Sequence, residues 1–200
     1  LAENKDATLN PKIYADDYPV IKTEYRHLTK NSYSVLDASF NQGYKKTSNK
    51  KTSGSRNHIF ARSDIDLDFE MFDESKLVIN FQKTSNDTYL KVHDINSKIM
   101  ESSTVMNSSI AMNFSKNDSS MKIDMDVYED LSKTEERYEF VAPNYDYKNK
   151  LSISEELGIL NFQSRGYYKN YETNKKQTKL VNDFHWKSND YISNSGIITK

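Results

Sequence analysis

The sequence predicts an all-β protein: an antiparallel, up-and-down meander of about ten long strands, each with one apolar and one polar face. Three observations carry this. Apolar and polar residues alternate with period two in three separate segments. Aromatic residues make up 12% of a chain that is only 36% hydrophobic, so rings are abundant where ordinary core material is scarce. The polar connections between alternating segments differ in length in a roughly regular order.

The first segment sets Ala7, Leu9, Pro11 and Ile13 against Asp6, Thr8, Asn10 and Lys12. A weaker copy follows at Leu36, Ala38 and Phe40. Tyr44 to Asn57 then reads as a long connection. Its Lys45–Ser55 stretch is rich in Lys and Ser but has no interleaved aromatics, so a solvated loop is favoured over a nucleic-acid arm.

Ile59 to Glu70 is the clearest strand. Ile59, Ala61, Ile65, Leu67 and Phe69 alternate with Phe60, Arg62, Asp64, Asp66, Asp68 and Glu70, and Ser63 is the one interruption. On a helix Ile65, Leu67 and Phe69 would scatter around the cylinder; on a strand they share one face and the acids share the other. Phe72–Lys76 reads as a short connection. Leu77, Ile79 and Phe81 form the next apolar row, and Thr84–Met100 a second long connection.

Met106, Ile110, Met112 and Phe114 supply another strand, with a tight connection at Lys116–Ser120. Met121, Ile123, Met125 and Val127 then oppose Lys122, Asp124, Asp126 and Tyr128. Glu129–Arg137 reads as a longer connection, Tyr147–Lys150 as short and Asn170–Thr178 as longer. Leu180, Phe184 and Trp186 mark the last strand. No long helix, heptad repeat or Pro/Gly-rich linker interrupts this rhythm, so residues 1–200 read as one region.

Composition removes several function classes. Lys and Arg number 28 against 29 Asp and Glu, so net charge gives no argument for nucleic acid. There is no cysteine for thiolate chemistry. No apolar run is long enough for a transmembrane helix, whereas a barrel strand needs only about 9 to 11 alternating residues. The chain opens at Leu1 without a signal-peptide pattern and reads as an excised or mature segment.

Alternation alone fits either a barrel wall in lipid or a sandwich in water. The strands of about ten residues, with Met, Ile, Leu and Phe on the apolar side, favour lipid. Tyr14, Tyr18, Tyr25, Tyr33, Tyr44, Tyr89, Tyr167 and Tyr168 lie near strand ends as candidates for an aromatic girdle.

Asp6-Ala7-Thr8-Leu9-Asn10-Pro11, followed by Glu24-Tyr25-Arg26-His27-Leu28, resembles the opening barrel strands of the lipopolysaccharide-assembly family LptD. Ser85-Asn86-Asp87-Thr88-Tyr89-Leu90 with His93-Asp94, and then Val141-Ala142-Pro143-Asn144-Tyr145-Asp146-Tyr147, resemble later segments of that family in the same order. After Leu160 the match is mainly strand rhythm and Trp186. The resemblance implies that these strands form a section of a large transmembrane β-barrel in the outer membrane of a Gram-negative cell, and delivery of lipopolysaccharide to the outer leaflet through the lateral gate of that barrel. It implies as partners an LptE-like lipoprotein plug, an LptA-like periplasmic bridge and outer-membrane lipids. A jelly-roll domain and the closing strands would lie outside this chain. No enzyme chemistry and no cofactor are implied.

Pro11 stands where that family has a proline in an early strand beside the gate. The resemblance makes it a candidate gate-weakening residue, because proline removes a ladder donor; by position alone it is an ordinary strand-edge proline. Asp64, Asp66, Asp68 and Glu70, with Lys122, Asp124 and Asp126, form a candidate lumen-facing polar strip. Acids two residues apart on a strand sit about 7 Å apart without a converging loop, so a solvated face is favoured over an ion site. His27, His58, His93 and His185 fall on separate segments, which supports no metal site.

Two alternative functions remain open. One is a soluble or surface β-sheet module that binds glycans or a protein partner. The other is an outer-membrane barrel hydrolase, for which Ser63 and His58 are the pair to examine.

Overall fold

Each alternating segment becomes a strand, because β-branched and aromatic side chains fit a pleated surface whose two faces meet different surroundings. A computed structural model describes residues 3–15, 17–43, 54–154, 158–189, 191–192 and 198–199. Ten strands form one sheet in sequence order, each antiparallel to the next. They are β1 (Lys5–Lys12), β2 (Val20–Leu28), β3 (Ser32–Asn41), β4 (Arg56–Asp66), β5 (Glu74–Thr84), β6 (Val105–Lys116), β7 (Ser119–Asp130), β8 (Tyr138–Ser154), β9 (Gly158–Tyr171) and β10 (Lys175–Lys187). A single turn of helix, α1 (Tyr89–Val92), lies between β5 and β6, and β11 (Tyr191–Ile192) pairs with β12 (Ile198–Thr199) as a separate hairpin. Among the described residues the sheet is open, with β1 and β10 at its edges.

Register aligns the apolar rows across the whole sheet. Ala7, Tyr25, Leu36, Ala61 and Phe81 are successive partners on β1 to β5. Ile65, Leu77, Met112, Ile123, Tyr145, Gly166 and Leu180 are successive partners from β4 to β10. One residue along, Asp66, Lys76, Asn113, Lys122, Asp146 and Arg165 form the matching row on the other face. A slip of one residue in any strand would exchange its faces, so this agreement over ten strands fixes the register.

The apolar face is left uncovered. Leu9, Phe40, Ile59, Phe81, Ile110, Met112, Met125, Phe140, Leu180 and Phe184 all remain exposed. The buried cluster lies elsewhere: Val20, Phe60, Tyr89, Leu90, Ile95, Met106 and Leu131 pack together where the β5–β6 connection folds over the sheet. Phe60 explains the location. It interrupts the charged row of β4, and that apolar position on the polar face gives the connection something to pack on.

The two longest connections share one end of the meander. The β2–β3, β4–β5, β6–β7 and β8–β9 connections share one end and are short, whereas residues 42–55 and 85–104 at the other end are long. Several expectations about boundaries fail. The Phe72–Lys76 connection runs instead from Leu67 to Asp73, since Glu74–Lys76 already belong to β5. The Ile59–Glu70 strand stops at Asp66, because Leu67 N–H donates to Ser75 O, Phe69 N–H donates to Ser75 Oγ, and Asp68 takes φ 50°, a left-handed value that Asp tolerates. Tyr147–Lys150 is not a connection: it lies inside β8, whose Lys148, Asn149 and Lys150 pair with Gln163, Phe162 and Asn161. Asn170–Thr178 is not a long connection, since Glu172–Asn174 alone join β9 to β10. Most of the Tyr44–Asn57 connection lies outside the described residues.

Candidate functional site

The polar face carries nearly all the ion pairs of the strands. Lys22–Asp37 (3.2 Å), Arg62–Asp64 (3.1 Å), Lys122–Asp124 (3.2 Å), Lys148–Asp146 (3.5 Å), Arg165–Asp183 (2.8 Å) and Lys169–Glu139 (2.7 Å) all join residues in the polar register. Arg26 adds a pair with Glu24 on the same side. The exception is at one end of the apolar face, where Lys83 bonds Glu129 at 2.7 Å and Arg137 reaches the same carboxylate at 3.1 Å.

Aromatic side chains concentrate towards the ends of the apolar face. At the short-connection end Phe72 packs on Phe114 with ring centroids 4.8 Å apart, and Phe162 packs on Phe184 at the same distance. Tyr138 and Phe140 stack at the long-connection end, 6.2 Å apart. Between them lie Leu36, Ile79, Ile110, Met112 and Met125. Of the girdle candidates chosen from sequence, Tyr168 stands in the apolar register near the long-connection end of β9, but most of the others do not fit. Tyr33 and Tyr167 stand in the polar register, Tyr25 sits amid the band, Tyr89 is buried, and Tyr44 lies outside the described residues. Phenylalanine carries the rows instead.

The predicted polar strip is divided. Asp64 and Asp66 occupy the polar face of β4 with Arg62 and Lys76 as partners, whereas Asp68 and Glu70 fall in the β4–β5 connection. Lys122, Asp124 and Asp126 share the polar face of β7, and Asp124 also accepts from Asn144 Nδ2 at 2.9 Å. An open concavity of about 860 Å³ brings Asp66, Asp68, Glu70 and Lys122 together with Lys76 and Asp146. Pro11 sits in β1 opposite Ile21, on an edge strand that tolerates a missing donor.

The 85–104 connection folds onto the polar face of β1 to β5. Lys12 Nζ donates to His93 O (3.0 Å) and Asp94 O (2.6 Å), Lys22 Nζ donates to Asn96 O, and Gln82 Nε2 donates to Ile99 O at 2.8 Å. Tyr89 enters deepest. Its hydroxyl lies 2.9 Å from Ser39 Oγ, which lies 2.6 Å from His58 Nδ1; His58 Nε2 lies 3.2 Å from Asp37 Oδ1. With Nε2–H donating to the carboxylate, His58 Nδ1 accepts from Ser39, and Ser39 accepts from Tyr89. Burial pushes the Tyr89 hydroxyl above its ordinary pKa, which keeps it a donor.

Ser39, His58 and Asp37 have the composition of a hydrolytic triad but not its surroundings. All three are buried, Tyr89 fills the approach to the hydroxyl, and β3 is paired on both sides, so its backbone donors are engaged in ladders. Ser63 is not a partner of His58: it stands on the opposite face and bonds Ser34 at 2.8 Å. Sequence reasoning missed the set because His58, Ser39 and Asp37 come from two strands joined by a long connection. Phe60, an aromatic in a charged row, was the available signal.

No protein-family model and no curated protein matches the chain.

Proposed function

We propose that this chain is part of an outer-membrane β-barrel that delivers lipopolysaccharide to the outer leaflet. The single observation that carries the membrane reading is the continuous apolar face across ten strands, left exposed while the ion pairs gather on the opposite face. Soluble monomers rarely expose contiguous apolar patches beyond a few hundred Å². A twelve-residue strand such as β6 extends roughly 36 Å; tilted by about 40° it rises about 28 Å, enough for an apolar band about 25 Å tall.

The cargo rests on the ordered resemblance to the LptD family, and the polar face suits it. A lipid with a charged, sugar-bearing head requires a path where lysines, arginines and carboxylates replace water. On this reading Asp64, Asp66, Lys122, Asp124 and Asp126 line the lumen, Pro11 weakens a seam near the gate, and a lipoprotein plug, a periplasmic bridge and further strands complete the machine. Hydrolysis is not favoured, because the Ser39–His58–Asp37 set is sealed beneath Tyr89.

Depletion of the complete protein in its own cell tests the cargo. Lipopolysaccharide is expected to vanish from the surface and accumulate inside; unchanged surface lipopolysaccharide overturns the reading.

A further inference from the structure

We propose that the 85–104 segment is a lid over the polar face of β1 to β5, held shut by a releasable latch, and that raising it opens the passage along that face. The inference rests on the barrel reading, since only in a barrel does that face line a passage.

The way the segment is held argues for a lid and not for permanent packing. Its regular structure amounts to one helical turn. Its attachments include separate polar pins: Lys12 and Lys22 reach its backbone carbonyls from neighbouring strands, Gln82 reaches Ile99 O from β5, Arg137 pairs with Asp87 at 2.6 Å, and the Tyr89 hydroxyl engages Ser39. Each pin is a side-chain bond that water can replace when the segment lifts, so no β ladder need break.

The closed state also carries an unmet group. His93 is 3% exposed, packs against the rings of Tyr89 and Tyr14, and its Nε2 has no hydrogen-bond partner among the described residues. A buried donor or acceptor without a partner opposes burial, so opening recovers the hydration that closure removed. Apolar packing of Tyr89, Leu90 and Ile95 against Phe60 and Val20 holds the lid down against that pull. The two opposing contributions fall on the same short segment, which suits a part that opens and closes.

The Ser39–His58–Asp37 set thereby gains a role without catalysis. Asp37 lies 3.2 Å from Lys22 Nζ, and Lys22 pins Asn96 O, so the Tyr89 attachment and the Lys22 attachment share one buried network. Loss of either pin loosens the other.

The test uses the complete protein in its native membrane. Lys22→Cys with Asn96→Cys, bridged by a bifunctional methanethiosulfonate reagent long enough to span the reach of the replaced lysine, places a reducible cross-link where the ammonium pin stood. Cross-linking is expected to lock the lid and cut delivery of new lipopolysaccharide to the surface at least fivefold, with recovery after reduction. In parallel, Leu90→Cys, or Ile95→Cys where the first does not assemble, reports opening through a membrane-impermeant maleimide. Tyr89→Phe is expected to raise its labelling rate at least tenfold. Undiminished delivery by the cross-linked protein overturns the lid, as does labelling that Tyr89→Phe leaves unchanged. Heat-modifiable migration of the same samples reports the barrel separately, so failure of the barrel is distinguishable from failure of the lid.

Discussion

Ile59 and Phe60 are neighbours on β4, yet Ile59 is 44% exposed and Phe60 is fully buried. A water-soluble sheet would bury the whole row to which Ile59 belongs. Here that row stays open, and the buried positions of β4 are Phe60 and His58 in the polar row, covered by a segment folded onto that side. The two faces are therefore inverted with respect to an ordinary domain, as the proposed barrel wall requires.

Charge placement should be tolerated on one face and not on the other. Ile110→Arg, in the middle of the apolar band, is expected to destabilise the membrane-folded protein by about 2–4 kcal/mol, the usual effect of a cation at that depth. Ser109→Arg, one residue away and in the polar register, is expected to change stability by less than about 1 kcal/mol. Urea unfolding in lipid vesicles measures both; equal effects would mean the faces are not lipid and lumen.

Phe60→Ala should release the inward segment while leaving the sheet paired. Removing a fully buried Phe costs about 3–5 kcal/mol, and here the loss falls on the cluster shared with Tyr89, Leu90 and Met106. Limited proteolysis is expected to cut within 85–104 far faster in the variant, with the strands still protected.

Acid should loosen the same segment through His93. Desolvation by burial holds its imidazole below the ordinary pKa of 6.5, opposed by Asp17 and reinforced by Arg56 and Lys12. The folded state therefore binds its proton later than the unfolded state, so stability rises with pH. The contribution is fully present above about 6.5 and declines as pH falls through that value towards the lower folded pKa. Proteolysis of 85–104 should quicken between pH 7 and pH 5. His93→Phe, which keeps the packing with Tyr89 and Tyr14 and does not titrate, should flatten the profile; an unchanged profile would exclude His93 as its source.

Pro11→Val in the complete protein restores a backbone donor to β1, opposite Ile21. Export is expected to slow as the seam tightens. Unchanged surface lipopolysaccharide would return Pro11 to the role of an ordinary edge-strand proline.

The strands were legible because period two states both the element and its faces, as in Met121–Val127 against Lys122–Tyr128. Boundaries were not, since a polar strand and a polar connection have the same composition. Lys148-Asn149-Lys150 continues β8, while Leu67 and Phe69 maintain the alternation beyond the last residue of β4. The latch was illegible for another reason. It joins Lys12, Lys22, Ser39, His58 and Tyr89 across four strands and a connection, and no local pattern encodes such convergence.

The central claim is that one face of this sheet meets lipid and the other meets water. Nitroxide labels placed singly from Ser108 to Asn113 in the complete, membrane-reconstituted protein test it most directly, by relaxation with oxygen and with a water-soluble nickel chelate. The account expects labels at Ser108, Ile110 and Met112 to favour oxygen and those at Ser109, Ala111 and Asn113 to favour nickel. Equal access of the chelate to both sets would contradict it.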